Sequence, residues 1–283
     1  MSVTSRALNF ILVLAVAYVI VLLVLRLFES HFIFYPNYPG RLEGDWKPAS
    51  LPVQDVALVA SDGVKLHAWW IPAENAKFTF LAFHGNASNI ANRAEIYRFL
   101  HQTPANVFAL EYRGYGRSEG SPSESGIYRD ADAAYQYIVR SKGVAPDTII
   151  SFGQSLGTAV AAHLAAESKV GGVILEAPFP SASSMARRIF WFLPGVSLVV
   201  AGQLETEKRV QEISAPILVV HCTDDPVVPP DLAEQVYAAA NSPKFVLRVQ
   251  SECHEESSLM APGQYRGALD SFLAQLSAST QSK

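Results

Sequence analysis

Gly153-Gln154-Ser155-Leu156-Gly157 stands between an apolar run at 148–152 and an Ala-rich stretch with helical spacing that reaches Glu167. Reading this G-x-S-x-G as a sharp strand-to-helix turn decides the fold. A turn that tight leaves the serine in a strained backbone conformation. Side chains two residues to either side would collide, which explains glycine at both places. The turn also presents the Ser155 hydroxyl at a helix N-terminus, where free N–H groups and the helix dipole favour developing negative charge. The plain alternative is a flexible glycine turn capped by Ser155; the strand–turn–helix setting favours the first reading.

Working outward, strand-like runs recur at 78–83, 107–112, 170–175, 217–221 and 245–249. Stretches with helical spacing separate or follow them at 89–101, 123–140, 231–240 and 264–276. Two further β-prone runs, 56–60 and 65–71, flank Ser61-Asp62-Gly63 and predict an antiparallel hairpin at one edge. This alternation predicts an α/β fold: a mostly parallel central sheet of about eight strands with helices on both faces. Functional residues of such sheets gather in loops after the carboxyl ends of strands.

Composition narrows the function. Lys plus Arg total 22 against 26 Asp plus Glu, a net charge of -4, with no basic run. That balance lacks the electrostatic footprint of a nucleic-acid binder. With 49% hydrophobic residues the chain has enough apolar surface to offset its ordering entropy. Two cysteines make neither a disulfide-dense framework nor a four-thiolate zinc site.

The N-terminus is different in kind. Every residue from 10 to 25 is apolar, and 7–28 is interrupted only by Asn9 and Arg26. About 20 apolar residues match the roughly 30 Å hydrocarbon core of a bilayer. A cleaved signal peptide competes, with Arg6 as its charged n-region, but the run exceeds a usual h-region and Arg26-Leu27-Phe28-Glu29 follows instead of a small-x-small site. Residues 1–28 are therefore expected to be a single-pass transmembrane anchor and 29–283 the catalytic domain. Arg6 precedes the segment while Arg26, Arg41 and Lys47 follow it, so charge does not decide orientation. The catalytic domain is expected on the extracytoplasmic side.

A serine hydroxyl needs a base held in the right tautomer. Of seven histidines, His254 is the one in a polar loop after the final strand run, within Ser251-Glu252-Cys253-His254-Glu255-Glu256. The acid is expected between serine and histidine, after a strand end. Asp225, beside Pro226 and the Val227-Val228 pair, is better placed than Asp224, and Glu176 after the run 170–175 is a third candidate. The loop Phe83-His84-Gly85-Asn86-Ala87-Ser88-Asn89 lets backbone approach an oxyanion closely, with the N–H groups of Asn86 and Leu156 as donors and His84 ordering the loop.

Together HGNASN, EYRGYGRSEGSPSESG, SFGQSLGTA, HCTDDPVVP and the CHE loop resemble serine hydrolases of the α/β-hydrolase fold. More narrowly they are similar to the membrane-anchored "α/β-hydrolase domain-containing" branch, relatives of monoacylglycerol lipases and protein depalmitoylases. The resemblance covers residues 32–276 and implies Ser155 as nucleophile, Asp225 as acid, His254 as base, and Asn86 and Leu156 as oxyanion donors. Arg113 and Tyr115 fall in a structural stretch. Two departures concern loop geometry: Cys222 stands where relatives often have Gly, and Cys-His-Glu replaces the more usual Gly-His-Asn.

The segment 176–216 is expected to form a small cap between strands six and seven. Its Ile189-Phe190-Trp191-Phe192-Leu193-Pro194-Gly195 run reads either as an acyl-binding wall opening toward the bilayer, with Phe190, Trp191 and Phe192 touching substrate, or as a helix burying its own aromatic face. Cys222 and Cys253 adjoin the acid and base loops. They pair if the domain faces an oxidising compartment and are otherwise two semi-buried thiols. The expected activity is hydrolysis of carboxylic esters, short or medium acyl esters or monoacylglycerol-like lipids, through an acyl-enzyme with no metal or organic cofactor. A peptidase or thioesterase of the same fold, and a non-catalytic lipid- or partner-binding relative, are the alternatives.

Overall fold

The computed structural model describes residues 3–36, 38, 47–198, 200 and 202–281. Arg41, with residues 37 and 39–46 of the Pro-, Gly- and aromatic-rich stretch 32–52 that reads as a linker or an irregular collar, and Val199 of the cap run lie outside the described residues.

Eight strands form one sheet: β1 (Gln54–Val59), β2 (Lys65–Ile71), β3 (Phe78–Phe83), β4 (Ala105–Leu110), β5 (Ile149–Gln154), β6 (Gly172–Glu176), β7 (Ile217–Cys222) and β8 (Lys244–Val249). Their spatial order is β1-β2-β4-β3-β5-β6-β7-β8. β2 runs antiparallel to β1 and β4, and every other pairing is parallel. The expected edge hairpin and parallel body are both present.

Ten helices accompany the sheet among the described residues: α1 (Val3–Leu27), α2 (Glu29–Ile33), α3 (Ala94–His101), α4 (Glu124–Arg140), α5 (Leu156–Glu167), α6 (Ala182–Ile189), α7 (Thr206–Val210), α8 (Pro230–Ala239), α9 (Ser257–Met260) and α10 (Pro262–Gln281). The two-residue strand period sorts the core into two layers. Leu81, Phe83, Phe108 and Leu110 face α4, α5 and α8, where Ile127, Val160 and Val236 meet them. Phe80, Ala82, Val107 and Ala109 face α3 and α10, where Tyr97, Leu269 and Phe272 lie. Strands buried on both faces read as continuous apolar runs, which is why the sequence exposes them so clearly.

The expected and observed boundaries differ where apolar sequence outlasts pairing. The run 107–112 extends past β4, whose pairing with β3 ends at Leu110 opposite Phe83. The stretch 89–101 is divided, because a 3-10 turn at Ile90–Arg93, capped by the Asn89 side chain, precedes α3. The helix α2 begins before the stretch 32–52 and overlaps it only at Phe32 and Ile33.

α1 is long and apolar enough to cross a membrane over Thr4–Leu27, a property a signal sequence shares. α6, a 3-10 turn at Val196–Leu198 and α7 fill the chain between β6 and β7, where the cap is expected.

Phe80 is fully buried in the layer against α3 and α10. Phe80→Ala is expected to cost about 3–5 kcal/mol in chemical denaturation of the refoldable protein. A cost under about 1 kcal/mol would contradict this packing.

Candidate active site

Ser155 occupies the N-cap of α5 with φ 49° and ψ −117°, in the positive-φ region that non-glycine residues rarely adopt. A Cβ on Gly153 would collide with the Gly157 carbonyl, and one on Gly157 with the carbonyl of Phe83, so both glycines are required by contact. The turn is held from below. Ser155 N–H donates to the Glu176 carbonyl at 2.9 Å, and Thr158 Oγ1 donates to the Ser155 carbonyl at 2.6 Å.

Three side chains from three loops then line up. His254 Nε2 lies 2.9 Å from Ser155 Oγ, and His254 Nδ1 lies 2.7 Å from Asp225 Oδ2. With Nδ1 protonated toward the carboxylate, Nε2 is free to accept the serine proton. Asp225 is fixed by its other oxygen, which accepts N–H bonds from Val227 at 2.7 Å and Val228 at 2.9 Å. Burial by itself lowers the His254 pKa. The hydrogen bond to Asp225 and the nearby charges of Glu255, Asp225 and Glu256 outweigh it, and the net direction is upward.

The other candidates are placed elsewhere. Asp224 is bonded by the neighbouring Thr223 hydroxyl at 2.9 Å, on the loop exterior. Glu176 is buried behind the serine turn, where Gln154 Nε2 and the Ser257 N–H bond its carboxylate at 2.9 and 3.2 Å. Burial raises its pKa to about 7 against those hydrogen bonds. His84 is enclosed, its ring 4.3 Å from that of Tyr112 and 5.1 Å from that of Tyr115, measured between centroids. The two tyrosine hydroxyls donate to the carbonyls of His84 and Asn86, so the loop after β3 is held by its aromatic surroundings. Arg113 is sequestered between Asp62 and Asp130, away from the serine.

Ser155 opens onto a cavity of about 250 Å³ whose walls also include Asn86, Leu156, Phe179, Met185, Phe190 and Val228. Of the three aromatic residues expected to touch substrate, only Phe190 lines it. Trp191 is 80% exposed and Phe192 60% exposed, because the chain turns outward after α6. The remaining wall comes from an unexpected source: Leu25, Glu29, Phe32 and Ile33, at the end of α1 and in α2. The sequence carries no signal for this, since residues in and just after an apolar run long enough to cross a membrane read as anchor and linker.

Two contacts near His254 also escape the sequence. Glu255 forms an ion pair with Arg93, and its carbonyl accepts from Gln154 Nε2 at 3.1 Å. They tie the histidine loop to the 3-10 turn after β3 and to the last residue of β5. Cys222 and Cys253 are joined as a disulfide, their Cα atoms 5.7 Å apart, so the end of β7 is linked to the residue before His254.

A mostly parallel sheet in this strand order, carrying a serine turn between β5 and α5 and a Ser–His–Asp hydrogen-bonded line, is the arrangement of α/β hydrolases. The chain belongs to that family. It is 37% identical over 233 residues to the α/β-hydrolase domain-containing protein WAV2 of Arabidopsis thaliana, covering 75% of this chain and 76% of that one. The YfhR protein of Salmonella typhi is 28% identical over 289 residues, covering 95% and 96%. Residues 74–204 match the family described as serine aminopeptidase, S33. Among solved structures, an esterase of Pyrococcus furiosus superposes with a TM-score of 0.68 at 19% identity, covering 86% of this chain and 98% of that one. An α/β hydrolase of Vibrio vulnificus gives 0.66 at 27% identity, covering 78% and 81%.

Thiol titration of the unfolded, unreduced protein is expected to find no free cysteine, and two after reduction. Two free thiols without reductant would remove the disulfide. With the cysteines 31 positions apart in sequence, Cys222→Ser with Cys253→Ser is expected to cost roughly 3–4 kcal/mol on a chain-entropy account.

Proposed function

We propose that this protein is a membrane-anchored serine hydrolase that cleaves carboxylic esters through an acyl-enzyme. The observation that carries the reading is the unbroken line Asp225–His254–Ser155 ending on an apolar cavity. His254 Nε2 takes the Ser155 proton as Oγ attacks the ester carbonyl, and Asp225 orients the ring and stabilises the imidazolium. The N–H of Leu156, which opens α5 and has no partner within the helix, and that of Asn86 hold the oxyanion. The C–O bond breaks, the proton passes from His254 to the leaving alcohol, and the acyl group stays on Oγ. Water then attacks with His254 again as base, releasing the acid and restoring the serine.

The lining favours an ester with an acyl chain over a peptide. A peptide's amide groups would need polar partners in a wall that is almost wholly apolar, and Glu29, its one carboxylate, already bonds Arg26 at 3.2 Å and the Gly202 N–H at 2.8 Å. The cavity is slightly below the roughly 300–1,000 Å³ of drug-sized sites, room for one chain. Monoacylglycerol-like or short to medium acyl esters suit it. The disulfide supports a catalytic domain on the extracytoplasmic side, because such bonds persist in oxidising compartments.

Ser155→Ala is expected to lower p-nitrophenyl ester hydrolysis by on the order of 10⁴–10⁶-fold and to abolish fluorophosphonate labelling. Near-normal turnover by that variant would end the assignment. Since His254 must be neutral to act and its pKa is raised, kcat/KM is expected to fall as pH drops through a midpoint above 6.5. Asp225→Asn, which removes the strongest raising contact, is expected to move the limb to lower pH. A limb unmoved by that change would detach it from His254.

A further inference from the structure

α1 does not stand clear of the domain. Along it and into α2, the partly covered positions Tyr18, Leu22, Leu25, Glu29 and Ile33 recur every three or four residues, one face of a helix, while the residues between them are exposed. The Tyr18 hydroxyl donates to the carbonyl of Pro194, in the cap. Tyr18 lies eight residues before Arg26, or about 12 Å along the axis at 1.5 Å per residue. If the apolar span ends near Arg26, Pro194 therefore sits well inside a hydrocarbon leaflet about 15 Å deep.

The cap loop has the properties that depth demands. Part of its backbone is paired internally: Phe190 N–H bonds Ala186 O at 2.9 Å, Leu193 N–H bonds Phe190 O at 2.8 Å, and Val196 N–H bonds Leu193 O at 3.2 Å. The tyrosine hydroxyl supplies a donor to a carbonyl that lipid could not satisfy. Ile189 at 57%, Trp191 at 80% and Phe192 at 60% exposure are costly in water and ordinary against lipid. Arg187 and Arg188 are exposed in the last turn of α6, directly before this loop, and Arg188 lies 3.8 Å from Asp231. Between this loop and α1 lies the cavity, with Leu25 and Phe32 on one side and Ile189 and Phe190 on the other.

We propose that residues 189–195 lie in the same leaflet as the C-terminal half of α1, and that the substrate is a bilayer-resident acyl ester whose chain slides laterally between α1 and the cap onto Ser155. This rests on the esterase reading for its chemistry but not for its geometry. The acyl chain leaves one apolar medium for another, so it is never exposed to water, and only the ester and its headgroup need reach the polar end at Asn86 and Ser155.

The test uses the full chain in phosphatidylcholine vesicles. Dibrominated phosphatidylcholine is expected to quench a fraction of the tryptophan emission that Trp191→Phe lacks. Identical quenching in both proteins would overturn the placement, whatever the activity. Trp191→Ser with Phe192→Ser is expected to lose at least tenfold on a long-chain monoacylglycerol held in the vesicles while hydrolysing p-nitrophenyl butyrate within twofold of the parent. Equal loss on both substrates, or none on either, would overturn lateral uptake. A parent protein that is quenched through Trp191 yet cleaves neither ester would refute the esterase reading and leave the placement standing.

Discussion

The contact between Gly157 and the Phe83 carbonyl sets the terms for everything around it. A helix can begin this close to the end of a neighbouring strand only where no Cβ intervenes, and Gly153 gives the same clearance on the strand side. The approach forces Ser155 to positive φ and fixes where its hydroxyl points. Because Phe83 is also the last residue of β3, the loop that supplies Asn86 begins at the same point. Ser155 and the loop carrying Asn86 are thus positioned by one backbone contact, and the strain in the turn is sustained by the packing of two fully buried strands.

Histidine and aspartate reach the serine from farther away and need their own supports. Asp225 is held by the N–H groups of Val227 and Val228, and both valines line the cavity. The element that fixes Asp225 is therefore also part of the cavity wall. His254 sits between a disulfide at Cys253 and an ion-paired Glu255, so its loop is fastened on both sides of the residue that must not turn. Gln154 bridges the Glu176 carboxylate and the Glu255 carbonyl, joining the strand below the serine to the histidine loop. Asp225, His254 and Ser155 lie far apart in sequence, and these short local ties replace the rigidity that one element would have given.

The sheet was legible because β3 to β7 are buried on both faces, and burial writes itself as unbroken apolar runs. Ser155 was legible for a different reason: the two glycines record a collision. His254 and Asp225 followed from chain order and loop position, which constrain a base and an acid once the serine is placed. The ends of the elements were less clear, as at β4, where Glu111 and Tyr112 continue the sequence pattern after pairing with β3 has stopped. Side-chain direction within the cap was not legible at all. Phe190, Trp191 and Phe192 are chemically alike, and only the turn after α6 sends the first inward and the other two out. Nor does local sequence show that Glu255 meets Arg93, or that Phe32 meets the cavity, since both depend on how distant segments pack.

On the proposed reading of α1 as an anchor, its relation to the domain changes what an anchor means here. A helix that serves only as a tether needs a polar spacer and no preferred face. Between α1 and α2 there is a single residue, Phe28, and the Arg26–Glu29 pair spans it. Glu29 also takes the Gly202 N–H, and Glu124 from the body takes the N–H groups of Gln203 and Leu204 at 2.7 Å each, so α2, cap and α4 are joined in sequence. On the proposed membrane placement, such a short connection fixes the tilt of the domain on the bilayer instead of leaving it free. It also explains why a cavity with so apolar a wall need not be closed by the domain alone: α1 and α2 supply the missing side. The apolar run that the sequence offers as an address for the protein is, in the folded chain, a part of its site.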